Sequence, residues 1–216
     1  LSVEYDMVKE LLDRELGETQ YNGLDPQRET IRNSEIITLP DFTSNSPNMK
    51  IYSLKGCDKN FRLIAIYEGF DSKKYAKIYD SPYELTIRSG KDFFEKFTIG
   101  KIFSAEYYNT NRDEITSQIK NSKLSSISQA KLNILDNFIS SLDNAKPYEF
   151  FEGTSLSPKY TQNYKTIIIH AENSIDIYLN LWKIGDECFV AYGGGYYKMI
   201  FKADKESFNN LWDIIV

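Results

Sequence analysis

Apolar residues near the N-terminus recur every three or four positions, which is the spacing of one face of a helix. They predict an opening helix over about Ser2–Leu16 that stops at Gly17, a residue type common just after a last helical turn. The apolar stripe of this predicted helix consists of Met7, Val8, Leu11, Leu12 and Leu16. A polar stretch and the turn cluster SNSPN, residues 44–48, follow it.

From Lys50 onward, short β-prone runs alternate with turn residues, a pattern typical of antiparallel strands. Strands are predicted at 50–54, 61–67, 75–79, 84–87 and 101–108, with a short additional one at 35–39. Gly56–Asn60 is predicted to be the first hairpin loop. The segment SGKDFFEKF, residues 89–97, suits one or two helical turns.

The clearest amphipathic stripe lies in the middle of the chain and predicts a helix from about Ser126 to Asp143. Its apolar positions are Ile134, Leu135, Phe138, Ile139 and Leu142. After Pro147 and a loop at 153–162, an antiparallel meander is predicted from runs at 166–170, 174–182, 187–192 and 196–201.

A last helix is predicted after Asp204, whose carboxylate is a good N-cap. One face of this helix carries Phe208, Leu211, Trp212 and Ile215. The preceding meander is the only nearby apolar surface, so Trp212 is predicted to be a core anchor rather than a ligand platform. Replacing Trp212 by Ala is then expected to cost about 3–5 kcal/mol.

The three consecutive glycines Gly193–Gly195 lie between two apolar, aromatic runs. A phosphate-binding loop would open a helix directly after its glycines, whereas here a strand is predicted to follow. The pattern therefore favours a tight β-hairpin turn at these glycines over an anion site.

Together these elements predict an α+β fold with antiparallel β-meanders and flanking helices, arranged as two small modules. Residues 1–115 would form an N-terminal helix plus a β-rich module. Residues 116–216 would form a helix, a four-stranded antiparallel meander and a C-terminal helix. The boundary between the modules is expected within residues 109–126.

The composition is that of a chain that folds and stays soluble, with 41% hydrophobic and 26% charged residues among 216. The net charge of −5, without a Lys/Arg run interleaved with aromatics, argues against nucleic acid and anionic membranes as principal partners. No apolar stretch approaches the roughly 20 residues that span a bilayer, so no membrane insertion by this segment is expected. The chain begins at Leu1 rather than Met, which indicates a processed protein or a piece of a longer one.

His170 is the only histidine, and Cys57 and Cys188 are the only cysteines. Zinc sites need several such ligands at short spacing, so no metal site and no cofactor are predicted. The two cysteines either pair or remain buried free thiols, and the sequence leaves both open. One of the cysteines and His170 could form a catalytic thiol–imidazole pair. Neither cysteine, however, begins a predicted helix, whose N-terminus would lower the pKa of the thiol. The sequence therefore favours the interpretation of His170 as an ordinary histidine at the end of a strand.

Two S-x-x-K matches, Ser117–Lys120 and Ser128–Lys131, fall on predicted helices, with the spacing that serine acyl-enzymes use. About two such matches are expected by chance in a chain rich in both residues. Lys165-Thr166-Ile167 lacks the glycine of the accompanying K-T-G motif. No catalytic residue is therefore assigned.

The sixteen tyrosines could line a sugar or peptide site. Their alternation within β-prone runs fits half-buried sheets more simply. Tyrosine content alone therefore identifies no ligand.

Two segments, KIYSLKGCDKNFRLIAIYEG (50–69) and ELTIRSGKDFFEKFTIGKIFSAEYYN (84–109), carry a family resemblance. They resemble extracytoplasmic regions of Firmicutes membrane proteins related to the beta-lactam sensor and antirepressor zinc metallopeptidases. There a KGYDPxFRL-like hairpin precedes a G-x-D-L-[FY] segment, and Cys57 departs from the usual aromatic. The matching residues are Gly56, Asp58, Phe61, Arg62 and Leu63, then Gly90, Asp92 and Phe93.

The C-terminal half, from Lys165 to Ile215, is similar in its strand–strand–hairpin–helix plan to small domains of bacterial surface lipoproteins. The resemblance implies that any peptidase would lie in a preceding membrane segment, so that this portion would be non-catalytic. It also implies a location outside the cell, at the cell surface or anchored to the membrane.

The leading hypothesis is a non-enzymatic extracytoplasmic sensing or binding domain of a Gram-positive regulatory or surface protein. Its partner would be an unidentified peptide, protein or small molecule. One alternative is a secreted hydrolase with an unrecognised thiol or carboxylate site. Another is a structural interaction module or surface lipoprotein.

Overall fold

The computed structural model describes residues 2–21, 42–44, 48–80, 86–97, 101–112, 119–148, 163–172, 175–192 and 199–216. These residues build two antiparallel sheets with a few short helices, which confirms the predicted α+β class with β-meanders. Backbone contacts divide the chain into two compact units. They are the N-terminal unit, residues 1–84, and the C-terminal unit, residues 85–216.

The N-terminal unit is built on a five-stranded antiparallel sheet with the strand order β1-β7-β6-β5-β2. Its strands are β1 (Ser2–Glu4), β2 (Leu12–Glu18), β5 (Lys50–Leu54), β6 (Arg62–Glu68) and β7 (Lys74–Asp80). Two further two-residue strands, β3 (Gln20–Tyr21) and β4 (Thr43–Ser44), pair with each other in parallel. The consecutive residues Ile64, Ala65 and Ile66 of β6 are buried, whereas in β7 the buried residues Ala76 and Ile78 alternate with more exposed ones.

The predicted opening helix is wrong, because only α1 (Tyr5–Val8) is α-helical and Lys9–Leu11 add one 3-10 turn. The residues on either side pair with the sheet instead, β1 with β7 and β2 with β5. A helical spacing of apolar residues is a local preference of a few tenths of a kcal/mol per residue, and tertiary pairing readily overrides it. Met7 of the predicted stripe is exposed, whereas Val8 is buried.

The first three strands of the predicted meander of this unit are confirmed. β5 has the predicted bounds, and β6 and β7 differ from theirs by one residue at each end. Gly56–Asn60 joins β5 to β6, with a φ of 75° at Gly56. The predicted strand at 35–39 lies outside the described residues, as do residues 84 and 85 of the one at 84–87. Residues 86 and 87 are described and are not part of a strand.

The C-terminal unit is built on an eight-stranded sheet with the order β10-β8-β12-β13-β14-β15-β11, and β9 also pairs with β8. The strands are β8 (Ile102–Arg112), β9 (Ile119–Asn121), β10 (Ser125–Ser126), β11 (Lys146–Pro147), β12 (Asn163–Ala171), β13 (Ile177–Ile184), β14 (Glu187–Tyr192) and β15 (Ile200–Lys202). β12 to β15 pair in chain order, which confirms the second predicted meander. β14 and β15 pair as a hairpin requires, although Gly193–Gly195 themselves lie outside the described residues.

Three helices cover one face of this sheet: α2 (Gly90–Phe94), α3 (Leu132–Ser141) and α4 (Lys205–Trp212). The ring of Phe93 on α2 contacts the ring of Phe201 on β15, with centroids 5.7 Å apart. The α-helical part of the predicted helix at 126–143 is shorter than expected, with 3-10 turns at Gln129–Lys131 and Leu142–Asn144. The predicted N-cap is confirmed, since Ser207 N donates to Asp204 Oδ1 at 2.9 Å.

The division between the units at residues 84 and 85 differs from the predicted boundary at 109–126. β8 runs through the first part of that interval and pairs with β12 from Ile102↔Ala171 to Asn111↔Asn163. β9 and β10 fold back and pair with the other edge of β8. Because β8 and β12 are far apart in the chain, no local sequence pattern could predict that they pair.

Candidate functional site

His170 is the penultimate residue of β12 and pairs across the sheet with Ser104 of β8. Its Nδ1 lies 2.6 Å from Oδ1 of Asp176, just before β13, and its Nε2 lies 3.5 Å from Oε2 of Glu106 on β8. About a third of each of these three side chains is exposed. The histidine is therefore held between two carboxylates that the sequence did not associate with it.

Both ring nitrogens of His170 face acceptors in this arrangement. A neutral imidazole can donate to only one of the two carboxylates, whereas an imidazolium donates to both. A general base instead directs a nitrogen lone pair at the proton of a substrate. In this geometry both ring nitrogens of His170 therefore lie near protein carboxylates.

The same geometry bears on metal binding. The two carboxylates approach opposite nitrogens of the ring, so the three side chains do not converge on a single point. Among the residues that the structure describes, no group of three or more His, Cys, Asp and Glu side chains is arranged to hold a metal ion.

Tyr178 on β13 lies in the same surroundings. Burial raises the pKa of Tyr178, and the nearby carboxylate of Asp176 raises it further. Smaller contributions in the same direction come from Tyr108 and Glu106. The phenol is thus a neutral hydrogen-bonding group at physiological pH.

Cys57 and Cys188 do not form a disulfide with each other, so the alternative in which they pair does not hold. Successive pairings from β12 to β14 place Cys188 on the helix-covered face of the sheet and His170 on the other face. Burial raises the pKa of the Cys188 thiol, which is the opposite of what activates a nucleophile. Cys57 is half-buried in the N-terminal unit.

The described residues of the two S-x-x-K matches do not lie on α-helices as predicted. Residues 119–121 form strand β9, so the helix expected under Lys120 is wrong, and Ser117 lies outside the described residues. Ser128 precedes a single 3-10 turn, in which Lys131 N donates to Ser128 O at 2.8 Å. This turn does not place Lys131 one α-helical turn beyond a serine nucleophile.

The first segment that carries the family resemblance shapes a hairpin. Asp58 Oδ1 accepts from Asn60 N at 2.9 Å, and Asp58 O accepts from the backbone N of Phe61 and of Arg62. Phe61 is buried, and the buried Arg62 donates to Asp80 twice, Nε to Oδ1 at 2.6 Å and Nη2 to Oδ2 at 3.0 Å. These motif residues therefore have visible roles in folding.

The second segment also has a structural role. A Cβ on Gly90 would lie 1.9 Å from the carbonyl oxygen of Leu142, so no side chain fits there. Asp92 Oδ2 accepts from Ser89 N at 3.2 Å in a capping box at the start of α2. Phe93 is buried in the core of the C-terminal unit.

Trp212 lies at the edge of that core, half-buried, although Phe208 on the same helix face is fully buried. The ammonium of Lys165 lies 4.3 Å from the centroid of the Trp212 indole, and that of Lys183 lies 5.1 Å from it. Lys165 Nζ also donates to the carbonyl oxygens of Trp212, at 2.9 Å, and Ile215. A cation thus caps the C-terminal end of α4, where the helix dipole favours positive charge.

The hairpin tip between β6 and β7, residues 69–73, presents an aromatic side chain to solvent. Phe70 is fully exposed, at 114% of its reference accessibility. The turn beneath it is well bonded, because Gly69 N donates to Lys73 O at 2.8 Å and Ser72 N donates to Gly69 O at 3.0 Å. Asp71 Oδ1 accepts from Lys73 N at 3.2 Å, and Ser72 has a left-handed φ of 59°.

Beside Phe70 lies the tip cleft, a space of about 320 Å³ lined by Tyr67, Gly69, Phe70, Asp71 and Tyr75. The Tyr67 and Tyr75 rings stack, with centroids 5.8 Å apart. Tyr75 Oη donates to Asp71 Oδ2 at 2.9 Å, and this hydrogen bond raises the pKa of Tyr75. A Cβ on Gly69 would lie 2.6 Å from Tyr75 Cε2, so the glycine lets the ring lie close to the turn.

The sequence interpretation did not single out this cleft. The run GFDSKK, residues 69–74, has ordinary turn composition, and its only signal was a large aromatic residue among small and polar ones. Together with the rings of Tyr67 and Tyr75, this side chain adds to the aromatic surface at the hairpin tip.

Comparison of the chain with protein-family models, curated proteins and solved structures found no match. Among the described residues, no helix combines the length and the apolar character needed to cross a bilayer.

Proposed function

We propose that this chain is a non-enzymatic extracytoplasmic sensing or binding domain of a Gram-positive regulatory or surface protein. The observation that carries the proposal is the fully exposed Phe70 on the hydrogen-bonded hairpin tip. An apolar ring held in water by a rigid turn contributes little to folding and is available to a partner.

The rigidity of the tip supports a role in binding. Ordering a loop on association costs about 0.5–1.5 kcal/mol per immobilised side chain, and a turn that is already ordered avoids much of this cost. Aromatic residues are also frequent among the few interface positions that supply most of the binding energy. Phe70 combines both properties.

The surroundings of His170 and Cys188 support the non-enzymatic part of the proposal. Carboxylates face both ring nitrogens of His170, and Cys188 is buried on the other face of the sheet. The family resemblance described from the sequence supports the extracytoplasmic part, since it implies that any peptidase would lie in a preceding membrane segment.

Photo-crosslinking tests the binding role. The photoreactive residue p-benzoylphenylalanine replaces Phe70, and the variant is produced in the bacterium from which the protein comes. In a matched control variant the same residue replaces Met7, an exposed apolar residue of the same unit. We expect a saturable adduct from position 70 that is much weaker from position 7. Equal adduct yields from the two positions would contradict the proposal.

Thiol labelling in intact cells tests the location. In a Cys57→Ser, Lys59→Cys variant, residue 59 is exposed and Cys188 is buried, so Cys188 serves as an internal control. A membrane-impermeant maleimide should label residue 59 without cell lysis and Cys188 only after denaturation. Labelling of residue 59 only after lysis would refute an extracytoplasmic location.

A further inference from the structure

We infer that the tip cleft binds an uncharged sugar unit of an oligosaccharide. This inference rests on the binding role proposed above and names the chemical class of its ligand. It is based on two observations: aromatic rings line the cleft, and the oppositely charged side chains of Asp71 and Lys73 lie close together at one edge of it.

The ring surfaces set the first requirement on the ligand. Phe70 is fully exposed, and the stacked rings of Tyr67 and Tyr75 form the adjoining wall. One face of a pyranose is a row of C–H groups, and such a face packs flat against the negative face of an aromatic ring. The cleft thus fits a ligand that has an apolar face without being apolar throughout.

The polar groups set the second requirement. Asp71 accepts from Tyr75 Oη and Lys73 N, yet an ionised carboxylate has about four acceptor positions. The ammonium of Lys73, 3.9 Å from Asp71 Oδ2, has three N–H donors and an exposed side chain. Neighbouring hydroxyl groups of a sugar both donate and accept, so they can bond to this carboxylate and this ammonium together.

Charge balance argues against the main competitors. A cationic group would meet Lys73 and Lys74, and an anionic group would meet Asp71 and Glu68, all of which are exposed on or beside the hairpin tip. Because these two positive and two negative side chains cancel, the site favours a ligand without net charge. Its volume of about 320 Å³ is near the lower end of ligand clefts and fits a sugar unit better than a large cofactor.

An NMR titration of the whole ¹⁵N-labelled chain tests the inference. The probes are chitotetraose, cellotetraose and maltotetraose, which are uncharged, with trilysine and triglutamate as charged comparisons. We expect at least one sugar to shift the amides of residues 67–75 in a saturable way, with a millimolar dissociation constant, and neither charged peptide to do so.

Three variants separate a built site from nonspecific contact. Phe70→Ala and Asp71→Ala should each weaken sugar binding at least tenfold. Tyr79→Ala, which removes another partly exposed aromatic side chain of β7, should leave it unchanged. Amide shifts outside residues 67–75 should match the wild type in all three variants, which shows that each has folded.

The inference is overturned if no sugar probe shifts residues 67–75, if a charged peptide shifts them more than any sugar does, or if Phe70→Ala binds like the wild type. The proposed binding role is judged separately by the adduct formed at position 70. A protein adduct there together with no sugar binding would retain the binding role and refute the sugar ligand.

Discussion

Two turns of one meander place their aromatic residues in opposite environments. In the β5–β6 turn, Asp58 Oδ1 accepts from the backbone N of the residue two positions later, and in the β6–β7 turn Asp71 Oδ1 does the same. Phe61, next to the first turn, is 1% exposed, whereas Phe70 in the second is 114% exposed. The Asp hydrogen bond alone therefore does not determine where a ring lies, because Phe61 follows Asp58 by three residues and Phe70 precedes Asp71 by one.

The difference separates residues that serve the fold from one that is available for binding. Phe61 lies immediately before β6, where the chain re-enters the sheet, and its ring is buried. Phe70 lies inside its turn, between Gly69 and Ser72, where Ser72 N donates to Gly69 O. Substitutions in the two turns should therefore have different consequences.

The largest effect is expected at Phe61. Phe61→Ala removes a fully buried ring and should reduce the free energy of unfolding of the N-terminal unit by about 3–5 kcal/mol. Native-state hydrogen exchange of the β6 amides measures this change directly. A loss below about 1 kcal/mol would mean that the two phenylalanines are not as different as their exposures indicate.

The next effect is expected at the ion pair beside the first turn. Asp80→Ala removes the carboxylate that accepts two hydrogen bonds from the buried guanidinium of Arg62. Loss of one partner of a buried pair costs about 3–5 kcal/mol, and we expect the lower end because Asp80 is 17% exposed. Urea unfolding monitored by circular dichroism measures this loss in the free energy of unfolding. The matched control is Asp71→Ala, which removes an exposed carboxylate and should lower the free energy of unfolding by less than about 1 kcal/mol.

A smaller effect distinguishes the glycines of the two turns. Gly56 has a φ of 75°, which strains most other residues, whereas a Cβ on Gly69 would collide with Tyr75. Each Gly→Ala change should cost about 1 kcal/mol. Asn tolerates a left-handed backbone, so Gly56→Asn should recover much of the stability and Gly69→Asn should not. Equal recovery at both positions in thermal unfolding would contradict this distinction.

The smallest effect on stability is expected at Phe70. Phe70→Ala exposes no core and leaves the backbone hydrogen bonds of the tip in place, so the free energy of unfolding should change by less than about 0.5 kcal/mol. The measurement is the same hydrogen exchange used for Phe61→Ala. A loss above about 1 kcal/mol would show that the ring supports the fold and would remove the basis for a binding role.

Much of this contrast lies beyond what the sequence could show. The β-prone runs at 50–54, 61–67 and 75–79 and the loop at Gly56–Asn60 were predictable, because strand pattern and turn chemistry are local. The exposure of Phe70 was not predictable, since Phe61 also lies beside a turn that contains an Asp and yet its ring is buried. Which side of a turn a ring occupies depends on whether the core has room for it.

The distance along the chain between interacting residues also explains which of the other predictions succeeded. Asp204 acts on an amide three residues away, so its N-cap role could be predicted from the sequence. Leu12–Glu18 pairs with β5, and Glu106 lies beside His170, only because distant segments are brought together. The short helical stripe at the N-terminus was overridden, and the carboxylate of Glu106 could not be associated with His170, for this same reason.

The pairing of β8 with β12 has a consequence for synthesis on the ribosome. Ile102 lies opposite Ala171, so β8 leaves the ribosome well before its main partner exists. At typical translation rates of about 5–20 residues per second, that interval is several seconds, far longer than helix or hairpin formation requires. β9 and β10 follow β8 directly and can pair with one of its edges during this time. The other edge must wait for β12, and an unpaired strand edge is where a nascent chain associates with chaperones or with its neighbours.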